Sequence, residues 1–138
     1  MEKMKYLGCF FDPQQLQEAL KAYPRQILHR EIEHPHITVV YHPNEIPWEL
    51  FGSKVRVRCV GYGCDSGNEA LLVEFAEFPA ELETAFRQVT VPHITLSVAQ
   101  GGRSVNSGRL AFLPMLPFEL DGIFGGKDEA GSLFFKTE

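Results

Sequence analysis

The sequence predicts an α+β fold in a single domain, residues 1–138, arranged as two lobes related by approximate two-fold symmetry. The composition, with 44% hydrophobic and 22% charged residues, is that of an ordinary globular domain and excludes disordered, collagen-like and membrane classes. The four residues PHIT occur twice, at 35–38 and at 92–95. A predicted strand and helix precede each copy, so the chain contains two β-α-β units that end in the same way.

The first unit begins with residues 4–11, MKYLGCFF, an apolar stretch typical of a buried strand. Asp12 can cap a helix that has Pro13 in its first turn, and Pro24 ends that helix. Residues 36–41 are rich in β-branched side chains and predict the strand that carries the first HIT. The apolar face of the helix has the spacing i, i+3, i+4, i+7, formed by Leu16, Ala19, Leu20 and Tyr23.

The second unit repeats this order. Residues 71–78, LLVEFAEF, predict a strand, and Pro79 opens a helix whose apolar side chains have the same spacing. The strand with the second HIT follows. The distance from Pro79 to His93 is 14 residues, against 23 from Pro13 to His36, so the repeat is one of structure rather than of sequence.

The remaining segments predict hairpins. The alternating residues 54–60 pair with 70–76 through the turn-rich CDSGNE, and residues 118–138 contain another pair of strands joined by a Gly and Asp loop. Lys54, Arg56 and Arg58 share one face of their strand, which is typical of a solvated sheet surface.

The repeated tetrapeptide places an imidazole and a hydroxyl on one side of each strand. Alternate side chains of a strand share a face, so His36 projects with Thr38, and His93 projects with Thr95. Ser97 continues the second row and is a candidate third hydroxyl. The proline before each histidine cannot donate to a sheet ladder, which favours a position at the start of the strand.

Two imidazoles and two hydroxyls around one point suit the cleavage of a phosphoester. One imidazole takes a proton from the nucleophile, the other gives a proton to the leaving oxygen, and the hydroxyls hold phosphate oxygens. The ordinary histidine pKa of about 6.5 lets a neutral and a protonated copy coexist near neutral pH. This chemistry needs no metal and no other cofactor.

The sequence resembles the 2H phosphoesterase superfamily, which includes bacterial RNA 2',3'-cyclic phosphodiesterases. The resemblance lies in HITV at 36–39 and HITL at 93–96, with flanks YLGCFFDPQQLQEAL, PFELDGI and GSLFFK. It implies two antiparallel-sheet lobes with helices outside and a central cleft lined by His36, Thr38, His93 and Thr95. It also implies metal-independent hydrolysis of a cyclic, 2',3'-type, or 2',5'-linked phosphoester, with a nucleotide or RNA-end phosphate as the partner.

The chain departs from the bacterial enzymes of that superfamily in two ways. Its two histidines are only 57 positions apart, and Ser97 and Val98 stand where a basic residue often follows the second motif. Arg103 is the first cation after that motif and is a candidate phosphate ligand. Smaller cyclic nucleotides and cyclic signalling nucleotides therefore remain open as substrates beside RNA.

Two alternatives use the same residues. The cleft could bind a nucleotide phosphate without turning it over, which would make the protein a binding module. A metal site of His34, His36, His42 and His93 would need a regular strand, but Pro35 and the turn after His42 interrupt it. In a regular strand Tyr41 faces away from His36, which favours packing in the core, with base stacking as the lesser alternative.

Charge and cysteine content set further bounds. The net charge of −5 disfavours binding along a long nucleic-acid backbone. Three cysteines without C-x-x-C spacing predict buried thiols rather than disulfides or a zinc site. The apolar stretch near the start is too short for a signal peptide or a membrane span, so we expect a cytoplasmic protein, and a monomer.

Overall fold

The computed structural model describes residues 3–135, and its fold is α+β, with one large antiparallel sheet and short helices. The α-helices are α1, Pro13–Leu20, and α2, Glu83–Arg87. Three 3₁₀ helices cover Trp48–Leu50, Ala80–Leu82 and Ser104–Arg109. The strands are β1 Met4–Phe11, β2 Arg30–Glu31, β3 His36–Tyr41, β4 Lys54–Cys64, β5 Asn68–Glu77, β6 His93–Val98, β7 Leu113–Asp128 and β8 Leu133–Phe134.

The strands follow the order β2-β6-β5-β4-β7-β1-β3, and β8 pairs with β7. Every pairing is antiparallel. The long strands β4 and β7 lie in the middle, with 11 and 16 residues, and they join the strands of the two β-α-β units into one continuous sheet. The two HIT strands, β3 and β6, lie at or next to opposite edges.

A short connection brings these edges together. After β2 the chain reaches β3 through residues 32–35, which we call the connecting segment. The amide of Ile32 donates to the carbonyl of Leu96 at 3.0 Å, and the amide of Phe11 donates to the carbonyl of Pro35 at 3.0 Å. Because four residues span the gap between the edges, the sheet must curl, and Cα atoms of β3 and β6 come within 8 Å of each other.

One face of the sheet packs with the helices into a hydrophobic core. Leu16 and Leu20 of α1 and Phe86 of α2 are buried there. The strands contribute alternate apolar side chains, as a half-covered sheet should. The buried strand residues include Leu7, Cys9, Ile37, Val55, Val57, Cys59, Leu71, Val73, Ile94, Leu96 and Phe124.

Local signals placed several elements correctly. The Asp12 carboxylate accepts a hydrogen bond from the Gln14 amide at 2.9 Å, which confirms the predicted cap of α1. Cys9 and Cys59 are buried thiols as predicted, whereas Cys64 is partly exposed. The predicted second helix is divided into a 3₁₀ turn and α2. The last residues of the predicted C-terminal pair of strands, 136–138, lie outside the described part of the chain.

The predicted basic row on β4 is a solvated surface. Arg56 forms ion pairs with Glu77 and Asp121 on the neighbouring strands, each at 3.0 Å. Exposed pairs of this kind contribute little to stability, because solvent screens them. Among residues 3–135, no helix is long and apolar enough to cross a membrane.

Candidate functional site

The two histidines occupy equivalent positions in their strands. His36 is the first residue of β3 and His93 is the first residue of β6, and each follows a proline. Both are partly buried. The curl of the sheet brings their strands together, and the charge of His93 is close enough to lower the pKa of His36.

Each imidazole is oriented by the backbone two residues upstream. Nδ1 of His36 lies 2.9 Å from the carbonyl oxygen of His34, and Nδ1 of His93 lies 2.7 Å from that of Val91. A carbonyl can only accept, so Nδ1 carries the proton in both neutral rings. The proline between the two residues has a fixed φ, which restricts the position of the carbonyl relative to the ring. In both rings Nε2 is therefore the atom that can take up or release a proton.

The His36 ring is held among aromatic side chains. Its centroid lies 4.8 Å from that of Tyr6, with 17° between the planes, and 5.7 Å from that of Phe10. Burial lowers the pKa of His36 below its ordinary value, and the hydrogen bond to the His34 carbonyl opposes this. The positive charge of Lys127 lowers the pKa further. The neutral form of His36 is favoured.

The His93 ring lies against the 3₁₀ helix Ser104–Arg109. A Cβ placed on Gly108 would lie 3.5 Å from Cε1 of His93, so the helix backbone passes directly beside the ring. A buried network attaches this helix to the sheet. The Thr95 hydroxyl donates to Oγ of Ser107 at 2.8 Å, and the Asn68 amide donates to the same oxygen at 3.0 Å.

The two threonines are in different surroundings. Thr38 is partly buried on the same face as His36, and Gly8 lies opposite it on β1. Thr95 is buried, and its hydroxyl donates a hydrogen bond to Ser107. Thr38 is therefore the more available of the two for a ligand.

Ser97 does not lie with the candidate site. Its side chain is 0% exposed, and its hydroxyl donates to Glu69 at 2.6 Å while accepting from the Leu28 amide at 2.9 Å. The expectation that Ser97 contacts a phosphate thus conflicts with its burial, because its hydroxyl is engaged inside the protein. Arg103 is exposed at the start of the 3₁₀ helix Ser104–Arg109, next to Ser104, which lines the cleft.

Glu69 is a buried carboxylate at the centre of its own network. Arg25 donates to both of its oxygens, at 2.9 and 2.8 Å, and Tyr62 donates at 2.7 Å. Desolvation raises the pKa of Glu69, but the hydrogen bonds from Arg25, Ser97 and Tyr62 outweigh it and lower the pKa. Tyr62 also accepts from the Gln26 amide at 2.8 Å. The network therefore holds the loop that leads into β2 and the connecting segment.

A cleft of about 640 Å³ opens beside His36. Its size is in the range of ordinary ligand sites. Three of its side chains, Lys5, Arg30 and Lys127, are cationic, and two, Glu31 and Glu33, are acidic. The cleft is thus locally basic in a chain of net charge −5. It is lined by Lys5, Tyr6, Arg30, Glu31, Ile32, Glu33, His34, His36, Tyr41, Ser104 and Lys127.

Tyr41 lies on the cleft side, not on the opposite face expected for a regular strand. The register of β1 and β3 shifts between Leu7 and Gly8, which leaves Val39 as an extra residue of β3. Such a β-bulge redirects the side chains that follow it. Tyr41 therefore pairs with Tyr6 and lines the same cleft as His36.

The histidines of the metal alternative do not converge. His42 has a positive φ of 47° and lines a different cavity, together with Lys3 and Met4. Within residues 3–135, no group of three or more His, Cys, Asp or Glu side chains is placed to hold a metal ion.

The site is defined by its own geometry. No model of a known protein family matches the chain, and no curated protein matches its sequence. Of the four motif residues, His36 is among the described residues that line the cleft, whereas Thr38, His93 and Thr95 are not, and His93 lies against the neighbouring 3₁₀ helix. The arrangement offers two Nε2 atoms on neighbouring strands for proton transfer and cations beside one of them. Such a set can bind an anionic ester and move protons at its oxygens.

Proposed function

We propose that the protein is a metal-independent phosphodiesterase of the 2H phosphoesterase type, which hydrolyses a cyclic, 2',3'-type, or 2',5'-linked nucleotide or RNA phosphoester. The observation that carries this proposal is the matched pair of histidines. Both start a strand after a proline, both direct Nδ1 to the carbonyl two residues upstream, and their strands approach each other. A structural role for either histidine alone would not require this match.

In this mechanism His36 is the general base and His93 is the general acid. The lowered pKa of His36 favours the neutral form, which can take a proton from water through Nε2. The water oxygen forms a bond to phosphorus while the bond to a ribose oxygen breaks. Protonated His93 gives its Nε2 proton to that departing oxygen, and the products are a phosphate monoester and a free ribose hydroxyl.

Phosphate binding is assigned mainly to Thr38 and Lys127. Thr38 shares the face of His36, and Lys127 lines the cleft with its charge close to that ring. Thr95 can contribute if its hydroxyl leaves Ser107 for the ligand, since Asn68 still donates to Ser107. Arg103 is the neighbour of Ser104, which lines the cleft, and its side chain would contact the phosphate from the rim. Ser97 has no part in this proposal.

The strands around each histidine form a lobe of their own in this proposal. β1 and β3 form the wall that carries His36, and β5 and β6 form the wall that carries His93. The equal hydrogen bonds of the two rings support an approximate two-fold relation between these walls. One chain supplies both histidines, so a monomer suffices for activity.

The test is hydrolysis of adenosine 2',3'-cyclic phosphate and of 2',5'-linked ApA in the presence of EDTA. We expect a bell-shaped pH profile, and a fall in rate of about 10²-fold or more when either His36 or His93 is changed to Ala. His42→Ala is the matched control, because His42 lines a different cavity, and it should keep full activity. Full activity in both His36→Ala and His93→Ala would refute the proposal.

A binding module without turnover is the second candidate. It is favoured by the Thr95 hydroxyl, which is occupied by Ser107 rather than free for a reacting phosphate. Saturable binding of both nucleotides with no product after hours would support this candidate over the enzyme.

A further inference from the structure

A second cavity, of about 220 Å³, lies behind the connecting segment. Its walls come from α1, from β2 with the connecting segment, and from β6. Ile32 and Glu33 line both this cavity and the cleft, so the connecting segment is a partition between the two spaces. Neither His36 nor Lys127 is among the described residues that line the second space. We call it the helix-side cavity.

The floor of the helix-side cavity is apolar and reaches the hydrophobic core. Leu16 and Leu20 are the buried side chains of α1, and Leu96 on β6 and Pro35 are buried as well. None of these four residues lines the cleft beside His36. An engineered protein cavity of about 150 Å³ holds a benzene molecule, so this space has room for one six-membered ring with a short chain.

The rim of the helix-side cavity carries an excess of negative charge. Arg25 lines the cavity, but its guanidinium is already held by Glu69 through hydrogen bonds of 2.9 and 2.8 Å. Glu31 lies 3.5 Å from the same guanidinium, and Glu33 forms no ion pair within residues 3–135. Both of these glutamates are exposed. Three carboxylates thus surround one guanidinium, and this imbalance favours a positively charged group at the rim.

Thr95 borders the helix-side cavity, but its hydroxyl is directed elsewhere. The hydroxyl donates to Ser107 at 2.8 Å and lies 3.4 Å from the carbonyl oxygen of Ser104, which lines the cleft. The group that Thr95 would offer to a phosphate is therefore on the side of the 3₁₀ helix Ser104–Arg109. The helix-side cavity is accordingly a space of its own, with an apolar floor and an acidic rim.

We propose that the helix-side cavity binds a small amphipathic cation, a protonated amine on a hydrocarbon body the size of one ring. The body packs on the leucines of the floor, and the ammonium group lies at the rim between Glu31 and Glu33. Gln17 of α1 also lines the cavity, and its amide oxygen can accept a hydrogen bond from the ammonium. Burial of the hydrocarbon supplies the affinity, and the carboxylates select for charge. This inference does not depend on the proposed function.

The experiment compares three probes of nearly equal size near neutral pH: the cation 2-phenylethylamine, the neutral 2-phenylethanol and the anion phenylacetate. NMR of the leucine methyl groups follows each titration. We expect the amine to bind with a Kd of about 1 mM, which is typical for so small a ligand, and the alcohol to bind about fivefold more weakly. Phenylacetate should bind more weakly still. Contacts from the amine's ring protons to the methyl groups of Leu16, Leu20 and Leu96 would place it on the floor of the helix-side cavity.

Substitutions at the rim test the selection for charge. Glu33→Gln and Glu31→Gln should each weaken binding of the amine about threefold and leave binding of the alcohol unchanged. Glu81→Gln is the matched control, because Glu81 is exposed and is not among the described residues that line either space.

Three results would overturn the inference. One is equal or tighter binding of phenylacetate than of the amine, and another is contacts of the amine with the Tyr6 ring in the cleft instead of the leucine methyl groups. The third is the absence of any methyl shift at about 10 mM amine, well above the expected Kd. Each result stands whether or not the protein hydrolyses a phosphoester.

Discussion

The ring of Tyr6 lies nearly parallel to the ring of His36, with centroids 4.8 Å apart and 17° between the planes. This contact covers one side of the imidazole and keeps water from it. Burial is the largest cause of the lowered His36 pKa, so an aromatic neighbour on β1 helps to set the protonation state of the candidate base. Burial also raises the pKa of Tyr6 itself, which keeps its hydroxyl neutral.

Replacing Tyr6 should change the titration of His36. In Tyr6→Ala the imidazole is more exposed to water, and its pKa should rise toward about 6.5. Tyr6→Phe keeps the stacked ring and should leave the His36 pKa close to that of the wild type. NMR titration of the His36 ring protons measures both variants. A pKa that is unchanged in Tyr6→Ala would show that the ring does not cause the desolvation.

Removing the charge of Lys127 should shift the acidic limb of the pH–rate profile. A positive neighbour disfavours a protonated imidazole, so Lys127→Ala should raise the pKa of His36. Because the base must be neutral to act, the acidic limb should move to higher pH. Lys127→Arg keeps the charge and should leave the limb in place. A shift to lower pH in Lys127→Ala would contradict the assignment of His36 as base.

Ser107→Ala should weaken the attachment of the 3₁₀ helix beside His93. The change removes the acceptor that the Thr95 hydroxyl and the Asn68 amide share. Because the carbonyls of Ser104 and Arg103 remain as acceptors at 3.4 and 2.8 Å, the cost should be about 1 kcal/mol. We expect lower stability to denaturant and a lower kcat. Val105→Ala is the control on the same helix, since Val105 is 55% exposed. Equal stability of the two variants would mean that the network is not needed.

Glu69→Ala should be strongly destabilising. Arg25 would be left as a largely buried charge without its partner, which typically costs about 3–5 kcal/mol. Glu77→Ala removes a carboxylate that is 72% exposed from its pair with Arg56, and it should have little effect on stability. Chemical denaturation of both variants near neutral pH makes the comparison, and similar losses would contradict it.

The same carboxylate predicts the response to acid. The folded-state pKa of Glu69 is lower than its ordinary value of 4.5, so its contribution to stability is present above pH 4.5 and is lost as the pH falls below it. Glu69→Gln should flatten this acid loss. Denaturation curves measured from neutral pH to below pH 4 would show the difference.

Much of the fold follows from local sequence patterns. The cap at Asp12, the alternation along β4 and the β-branched residues after His36 are read within a few positions, and the structure confirms the elements that they predict. The positions of His36 and His93 at the starts of their strands also follow, since proline cannot continue a ladder.

The rest depends on contacts between distant segments. The bulge at Val39 places Tyr41 on the opposite face from the one predicted, and no single residue of β3 predicts a bulge. Lys127 lies in the cleft because β7 pairs with β1 in one particular register. The buried hydroxyl of Ser97 donates to Glu69, which is 28 positions earlier in the chain. These outcomes follow from strand pairing and buried charge, which local periodicity does not encode.

The connecting segment has a mechanical consequence. Its first amide donates to the carbonyl of Leu96 in β6, the strand that carries His93, and its last carbonyl accepts from the amide of Phe11 in β1, the neighbour of β3. The backbone itself therefore acts as a spacer between the two walls. Widening the gap would break main-chain hydrogen bonds. The distance between the two walls is therefore set by the backbone rather than by side chains that can change rotamer.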